Sequence, residues 1–277
     1  MRDPVRRVER KAWRAGGLAT GERTIPEETA VAFTYDGSSY AVMMATPQDL
    51  EDFALGFSLT EGIVDLVDEI ESLEVIEEEI GIELRMRLAA PHAARLSERR
   101  RFLAGPTGCG LCGIESLAEA MRVPTVVADE TRFTPGDIGA ALDALHDLQA
   151  INRSTRAVHG AALYRRAEGI VAIREDVGRH NALDKLAGAL ASSGLKRGLI
   201  GRGGLGLLTS RLSVELVQKA AAIGIPVLAG VSAPTGLAVR TADAAGITLI
   251  GVARDDGFEI FTHAQRIKEV SSGDVLA

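Results

Sequence analysis

The chain has 277 residues, 46% apolar and 25% charged, which excludes a disordered or fibrous protein and allows one large domain or two modest ones. With 38 acidic against 31 basic residues the net charge is −7, so nothing draws the whole chain to nucleic acid or to an anionic membrane. No apolar run approaches the roughly 20 residues of a membrane span, and no apolar segment follows the basic residues before Trp13 as a signal peptide requires.

Residues 1–24 read as a basic, flexible, solvated tail, with Arg2, Arg6, Arg7, Arg10, Lys11 and Arg14 set among Gly16, Gly17 and Gly21. Val31, Phe33 and Tyr35 alternate, Asp36-Gly37 turns the chain, and Tyr40, Val42 and Met44 alternate again, which predicts a hairpin. Thr46-Pro47 has the signature of a helix start. Leu50, Phe53, Ala54 and Phe57 then recur at helical spacing to about Thr60, with Phe53 and Phe57 as core residues and Gly62 as the stop. Eight carboxylates between 65 and 79 are interrupted by Ile70, Leu73, Val75 and Ile76, the pattern of a solvated edge rather than of a metal site. Strict alternation from Ile80 to Leu88 predicts a half-buried strand. Together these elements predict a small α+β part over 25–104.

Residues 105–117 hold the two cysteines of the chain, Cys109 and Cys112, among four glycines. So many glycines suit neither a strand nor a helix interior, and they predict a mobile loop that presents two thiols. A helix starting near Leu111 and the upstream Arg99, Arg100 and Arg101 would favour a thiolate. The Cys-x-x-Cys spacing serves a disulfide, half a metal site, or a carrier thiol with a resolving partner. A closed zinc site lacks its second pair of ligands, so no structural metal is expected. Two cysteines on such a loop suit a reducing cytoplasm.

Beyond the loop, 124–132 reads as a strand and crossover, and Thr134-Pro135 starts a helix along Ile138, Ala141, Leu142, Leu145 and Leu148. From 155 onward, apolar strands (157–164, 170–173, 199–200, 227–231, 248–252, 258–261) alternate with helices (179–190, 213–222, 237–244), the texture of an α/β layer over 118–266 with a frayed tail at 267–277. His159 stands in an apolar strand, as a satisfied core residue or a site residue. In such sheets the carboxyl ends of strands carry the sites. The polar run 174–185 follows a strand and offers Arg174, Arg179 and Lys185 to an anion, with Asp176 as a helix cap; the other reading is a purely structural ion-pair network. Further loops at 201–204 with Arg202, 210–213 with Ser210, Arg211 and Ser213, 231–235, and 252–257 predict a polar, phosphate-tolerant cleft. Neither a P-loop nor G-x-G-x-x-G is present.

Four segments in this order, Leu55-Gly56-Phe57 with Thr60-Glu61-Gly62-Ile63, Cys109-Gly110-Leu111-Cys112-Gly113, Arg174 to Lys185, and Ser210 to Ser213 followed by Glu215 to Lys219, resemble the FdhD family of formate dehydrogenase accessory sulfurtransferases. The resemblance runs from about 25 to 266. It implies a cytidine deaminase-like layered α/β core beside the smaller α+β part, and a homodimer in the cytoplasm. It also implies a carrier function. Cys109 accepts sulfur as a persulfide from an IscS-like cysteine desulfurase, supported by Cys112. The sulfur goes to the molybdenum of bis-molybdopterin guanine dinucleotide before that cofactor enters apo formate dehydrogenase. The family's cofactor contact falls on Val252, Ala253, Arg254, Asp255, Asp256 and Gly257. Arg174, Arg179, His180, Lys185, Arg202, Ser210, Arg211 and Ser213 are the further donors expected around it. Without the resemblance, two other readings stay open: a thiol–disulfide oxidoreductase, and a non-catalytic cofactor chaperone. Zinc deaminase chemistry is not expected, because His-x-Glu with Pro-Cys-x-x-Cys is missing.

Overall fold

The computed structural model describes residues 2–93, 124–191, 194–254 and 256–268. Where a flexible tail was expected, the chain forms a two-stranded antiparallel ribbon of β1 (Val5–Arg14) and β2 (Gly17–Pro26). Ala15 and Gly16 both take positive φ, 47° and 79°, the turn geometry whose twist matches the strands it joins. Arg23 anchors the ribbon by donating from Nη2 to the Thr155 carbonyl at 3.1 Å. Both faces of the ribbon are largely wet, so its composition resembles that of a tail although its backbone is paired.

The expected hairpin forms as β3 (Thr29–Tyr35) and β4 (Ser38–Ala45), with Asp36 and Gly37 at φ 49° and 75°. Asp36 also accepts from the Leu88 amide, tying the turn to a neighbouring strand. The acidic stretch supplies β5 (Ile70–Glu78), an edge strand whose exposed glutamates discourage pairing with another chain. With β6 (Gly81–Leu88) the sheet order is β4-β3-β6-β5. Helix α1 (Leu50–Thr60) lays Phe53 and Phe57 against Phe33, with ring centroids 4.9 and 4.2 Å away. Burying such a side chain contributes roughly 1.5–3 kcal/mol. Thr46 does not cap this helix; Asp49 stands at the N-cap without a side-chain bond.

Thr134 caps α2 (Pro135–Leu148) through a reciprocal pair of bonds with Asp137, as its sequence predicts. Residues 124–132 form no strand; Phe133 alone bridges to Ile267, so the expected terminal tail is held at its first residue. The helix α3 (Ala150–Thr155) and the hairpin β7 (His159–Arg165) and β8 (Gly169–Asp176) follow. Next come α4 (Arg179–Ala191), β9 (Leu205–Leu208), α5 (Val214–Ala222), β10 (Val227–Gly230), α6 (Gly236–Ala245), β11 (Thr248–Arg254) and β12 (Gly257–Ile260). The strand expected at 199–200 is instead the end of a short 3-10 turn, Arg197–Leu199, and β9 lies beyond the glycines.

These strands make one six-stranded sheet in the order β12-β11-β10-β9-β7-β8, with β9, β10 and β11 parallel. Successive side chains point to opposite faces. Ala162, Leu207, Ala229 and Ile250 meet Ile138, Ala141 and Leu145 of α2, while Ala161, Leu208, Leu228 and Leu249 belong with Leu183, Leu186, Leu216 and Val217 of α4 and α5. The second cluster continues through α1 into Phe33 and Leu84, so both sheets share one core. The fold is thus layered α/β. Helices α1 and α4 meet through glycines: a Cβ on Gly56 would overlap the Asp184 carbonyl, and one on Gly188 the Asp52 carbonyl.

Candidate functional site

Strand register decides which loops share an edge. Leu208 pairs with both Gly230 and Ala161, Ala229 with Ile250, and His159 with Asp176. The segments 159–160, 176–180, 209–213, 231–235 and 252–257 therefore leave the sheet on the same side. Arg202 does not join them. It precedes β9 at the opposite edge, exposed, 3.8 Å from Asp129.

Within 174–185, several side chains point away from any cleft. Arg174 donates from Nε and Nη2 to Asp52 of α1 at 2.7 and 2.6 Å, as the structural reading expected. Lys185 is fully buried, 2.7 Å from Asp176 and 2.8 Å from the Thr46 carbonyl, with its ammonium 5.5 Å from the centre of the Phe53 ring. Asp176 is not at the N-cap. It accepts from Lys185, from Asn181 and from the amides of Thr46 and Gly178, so its carboxylate organises the junction of β4, β8 and α4. One position before Lys185, Asp184 binds Lys219 of α5 at 2.9 Å and Thr60 at 2.6 Å. Burial raises the Asp184 pKa against the pull of Lys219 and Thr60. Burial also pulls Lys219 down, but Asp184 and Glu61 outweigh it and hold the ammonium above its ordinary value. Two buried ion pairs on adjacent residues of α4 thus fasten it to α5 through Lys219 and to the end of β8 through Asp176, with Thr60 of α1 bonded to Asp184.

Arg179 and His180 do face the edge. The Nε of Arg179 is buried without a hydrogen-bond partner. Burial first, then Arg179 and Lys219, push His180 down to about 4, while Glu215 lies 3.9 Å from its Nε2. His159 is lowered in the same way, by burial and then Arg179. Both imidazoles are neutral at pH 7 and available as hydrogen-bond partners. Ser213 stands at the N-cap of α5, Arg211 is exposed, and Ser210 is buried against the Arg211 carbonyl.

Ala253, Arg254 and Asp256 flank an open cavity of about 540 Å³, lined also by Leu142, Leu145, Gln149 and Thr209 among others. That volume lies within the range of small-molecule sites. Arg254 pairs with Gly257 across the turn; Asp255 lies outside the described residues. Val252, in a register shift of β11, takes φ 51°, and a β-branched residue there costs on the order of 1–3 kcal/mol. Sequence reasoning did not find Gln149 and Thr209. Gln149 follows the last apolar residue of α2 and Thr209 precedes Ser210, so neither belongs to a cluster that patterning reveals. Cys109 and Cys112 lie outside the described residues. Among the described residues, no three or more His, Cys, Asp or Glu side chains group to hold a metal ion, and no helix is long and apolar enough to cross a membrane.

A layered α/β protein with its polar groups at one sheet edge is the class that fold and site define. The same fold occurs in the crystal structure of a putative formate dehydrogenase accessory protein from Desulfotalea psychrophila, with a TM-score of 0.72 over 96% of this chain and all of that one, at 22% identity. The chain belongs to the FdhD/NarQ family, whose model matches residues 26–268. It is 56% identical over 263 residues to "Sulfur carrier protein FdhD" of Agrobacterium fabrum, covering 95% of this chain and 96% of the other. Identity to the protein of that name from Brucella abortus is 53% over 95% and 97% of the two chains, and to that from Cupriavidus necator 51% over 94% and 89%.

Proposed function

We propose that the chain is a sulfurtransferase, a sulfur carrier for formate dehydrogenase maturation, working through a persulfide on Cys109. The family match across residues 26–268, with relatives named sulfur carriers above 50% identity, carries this reading. In the loading step the Cys109 thiolate attacks the outer sulfur of a persulfide on a cysteine desulfurase. The desulfurase S–S bond breaks, its cysteine leaves as thiolate, and a new S–S bond forms on Cys109 without net redox change. In the release step Cys112 attacks the inner sulfur of Cys109. A Cys109–Cys112 disulfide forms, sulfur leaves as hydrosulfide carrying both electrons, and a dithiol reductant restores the pair.

The acceptor is the molybdenum of bis-molybdopterin guanine dinucleotide, bound before transfer to apo formate dehydrogenase. The cavity beside Ala253, Arg254 and Asp256 fits one end of such a molecule, with apolar walls for a ring and an exposed guanidinium for a phosphate. Arg179, with its unpartnered Nε, and Arg211 suit further phosphates on the same edge, near His180, Ser210 and Ser213. Arg174, Lys185 and Arg202 are left out of this contact set, since each already faces a carboxylate.

A division into parts at 25–104, 105–117 and 118–266, a homodimer in the cytoplasm, and a cytidine deaminase-like six-stranded layer belong to the same proposal. The test is activation of formate dehydrogenase in cells that lack their own carrier. The wild-type chain is expected to restore activity and Cys109→Ala to abolish it; restoration by the variant would contradict the proposal.

A further inference from the structure

Gln149 occupies a position that packing alone does not explain. It joins α2 to α3, is only 4% exposed, and lines the 540 Å³ cavity, yet its Nε2 has no hydrogen-bond partner. A buried amide donor left unpaired costs about 1–3 kcal/mol. The fold nevertheless holds it there. Glu175, itself buried, accepts from the Ile151 and Asn152 amides at 2.8 Å each, pinning the first turn of α3, and the Gln149 carbonyl accepts from the Arg153 amide. Gly160 leaves room for the side chain, because a Cβ there would stand 2.7 Å from Nε2. The polar groups of the cavity are graded by depth: Gln149 is buried, Thr209 half-buried, and His146, Arg254 and Asp256 exposed. Apolar walls come from Leu142, Leu145, Val231 and Ala253. Such a slot suits a flat ring inserted edge-on, carrying an acceptor at its deep end and its charged substituents outside.

We infer that Gln149 is a specificity-determining residue of this cavity, donating from Nε2 to a ring carbonyl of the bound group. The inference rests on the reading of the cavity as a nucleotide end of the cofactor, and it adds that the base is read there by its carbonyl. Guanine presents a carbonyl acceptor where adenine presents an amino donor, so the contact favours guanine.

Calorimetric titration with GDP and with ADP tests this on the full chain, alongside Gln149→Leu and the isosteric Gln149→Glu, with thermal unfolding to establish that each variant is folded. The wild-type chain is expected to bind GDP more tightly than ADP. Both variants are expected to lose about tenfold on GDP, the equivalent of about 1.4 kcal/mol, and to change little on ADP. A folded variant that binds GDP like the wild type overturns the inference and leaves the nucleotide reading standing. Equal loss of both nucleotides also overturns it, because packing rather than base reading would then be at stake. A wild-type chain that binds neither nucleotide removes the reading of the cavity as well.

Discussion

Lys219 shows how charge is used in this molecule. Its ammonium is inside the protein, 2.7 Å from Glu61 and 2.9 Å from Asp184, and 5.4 Å from the centre of the Phe57 ring. Lys219→Met leaves the Asp184 carboxylate buried without its cation, and urea unfolding is expected to show a loss of about 3–5 kcal/mol. His180 sets an acid limit. Its folded pKa of about 4 lies below the ordinary histidine value, so between those two pH values the unfolded chain binds a proton that the folded chain refuses. The contribution of neutral His180 is therefore complete above about pH 6.5 and is lost as pH falls to about 4, by up to about 3 kcal/mol. Thermal unfolding at pH 7 and pH 4.5 is expected to show a smaller Tm difference in His180→Gln than in the wild type. At this scale, sequence reading recognised that 174–185 is exceptional but not which way each side chain turns. Arg174 and Lys185 have the right chemistry for phosphate, yet Arg174 meets Asp52 and Lys185 meets the Thr46 carbonyl, on a stretch that only the fold brings near, and Lys185 turns back onto Asp176 of its own run.

Among the elements, the crossing of α1 and α4 is the tightest constraint. Gly56 and Gly188 let the two backbones touch, and the buried ion pairs of Asp184 and Lys185 lie beside that crossing. Gly188→Ala must push the helices apart. The expected result is a destabilisation of about 3 kcal/mol or more, read as a Tm lower by roughly 6 °C or more. Most elements were legible because a period or a cap marks them: alternation for β3, β4 and β6, the Thr134-Pro135-x-Asp137 start of α2, and the apolar runs of β7, β10 and β11. Failures came where those marks mislead. Thr46-Pro47 looks like a cap, but Thr46 spends its amide, hydroxyl and carbonyl on Asp176, Val177 and Lys185. Four-residue β9, preceded by Gly203 and Gly204, has too little length to show a period, and the apolar pair Leu199-Ile200 before those glycines drew the assignment instead.

For the whole molecule, the two sheets are bound into one body by the core that runs from Phe33 through α1 and α4 to Leu228, while the β1–β2 ribbon stands apart with Trp13 71% and Leu18 62% exposed across its tip. No residue of the ribbon is fully buried, and the half-buried positions of β1 include Arg10 beside Val8 and Ala12, so its sequence shows charge and glycine and hides the pairing. One edge of the six-stranded sheet gathers Arg179, His180, Arg211, Gln149 and the 252–257 turn, where the proposed function seats the cofactor that receives sulfur. In the proposed function the sulfur travels on Cys109. Mass spectrometry of the intact chain and its peptides, after incubation with a cysteine desulfurase, cysteine and pyridoxal phosphate, tests this most directly when Cys109→Ala and Cys112→Ala are run in parallel. A reducible gain of about 32 Da, one sulfur atom, is expected on Cys109 in both the wild type and Cys112→Ala, and none in Cys109→Ala. An adduct on Cys112 alone, or none on either cysteine with an active desulfurase, would contradict it.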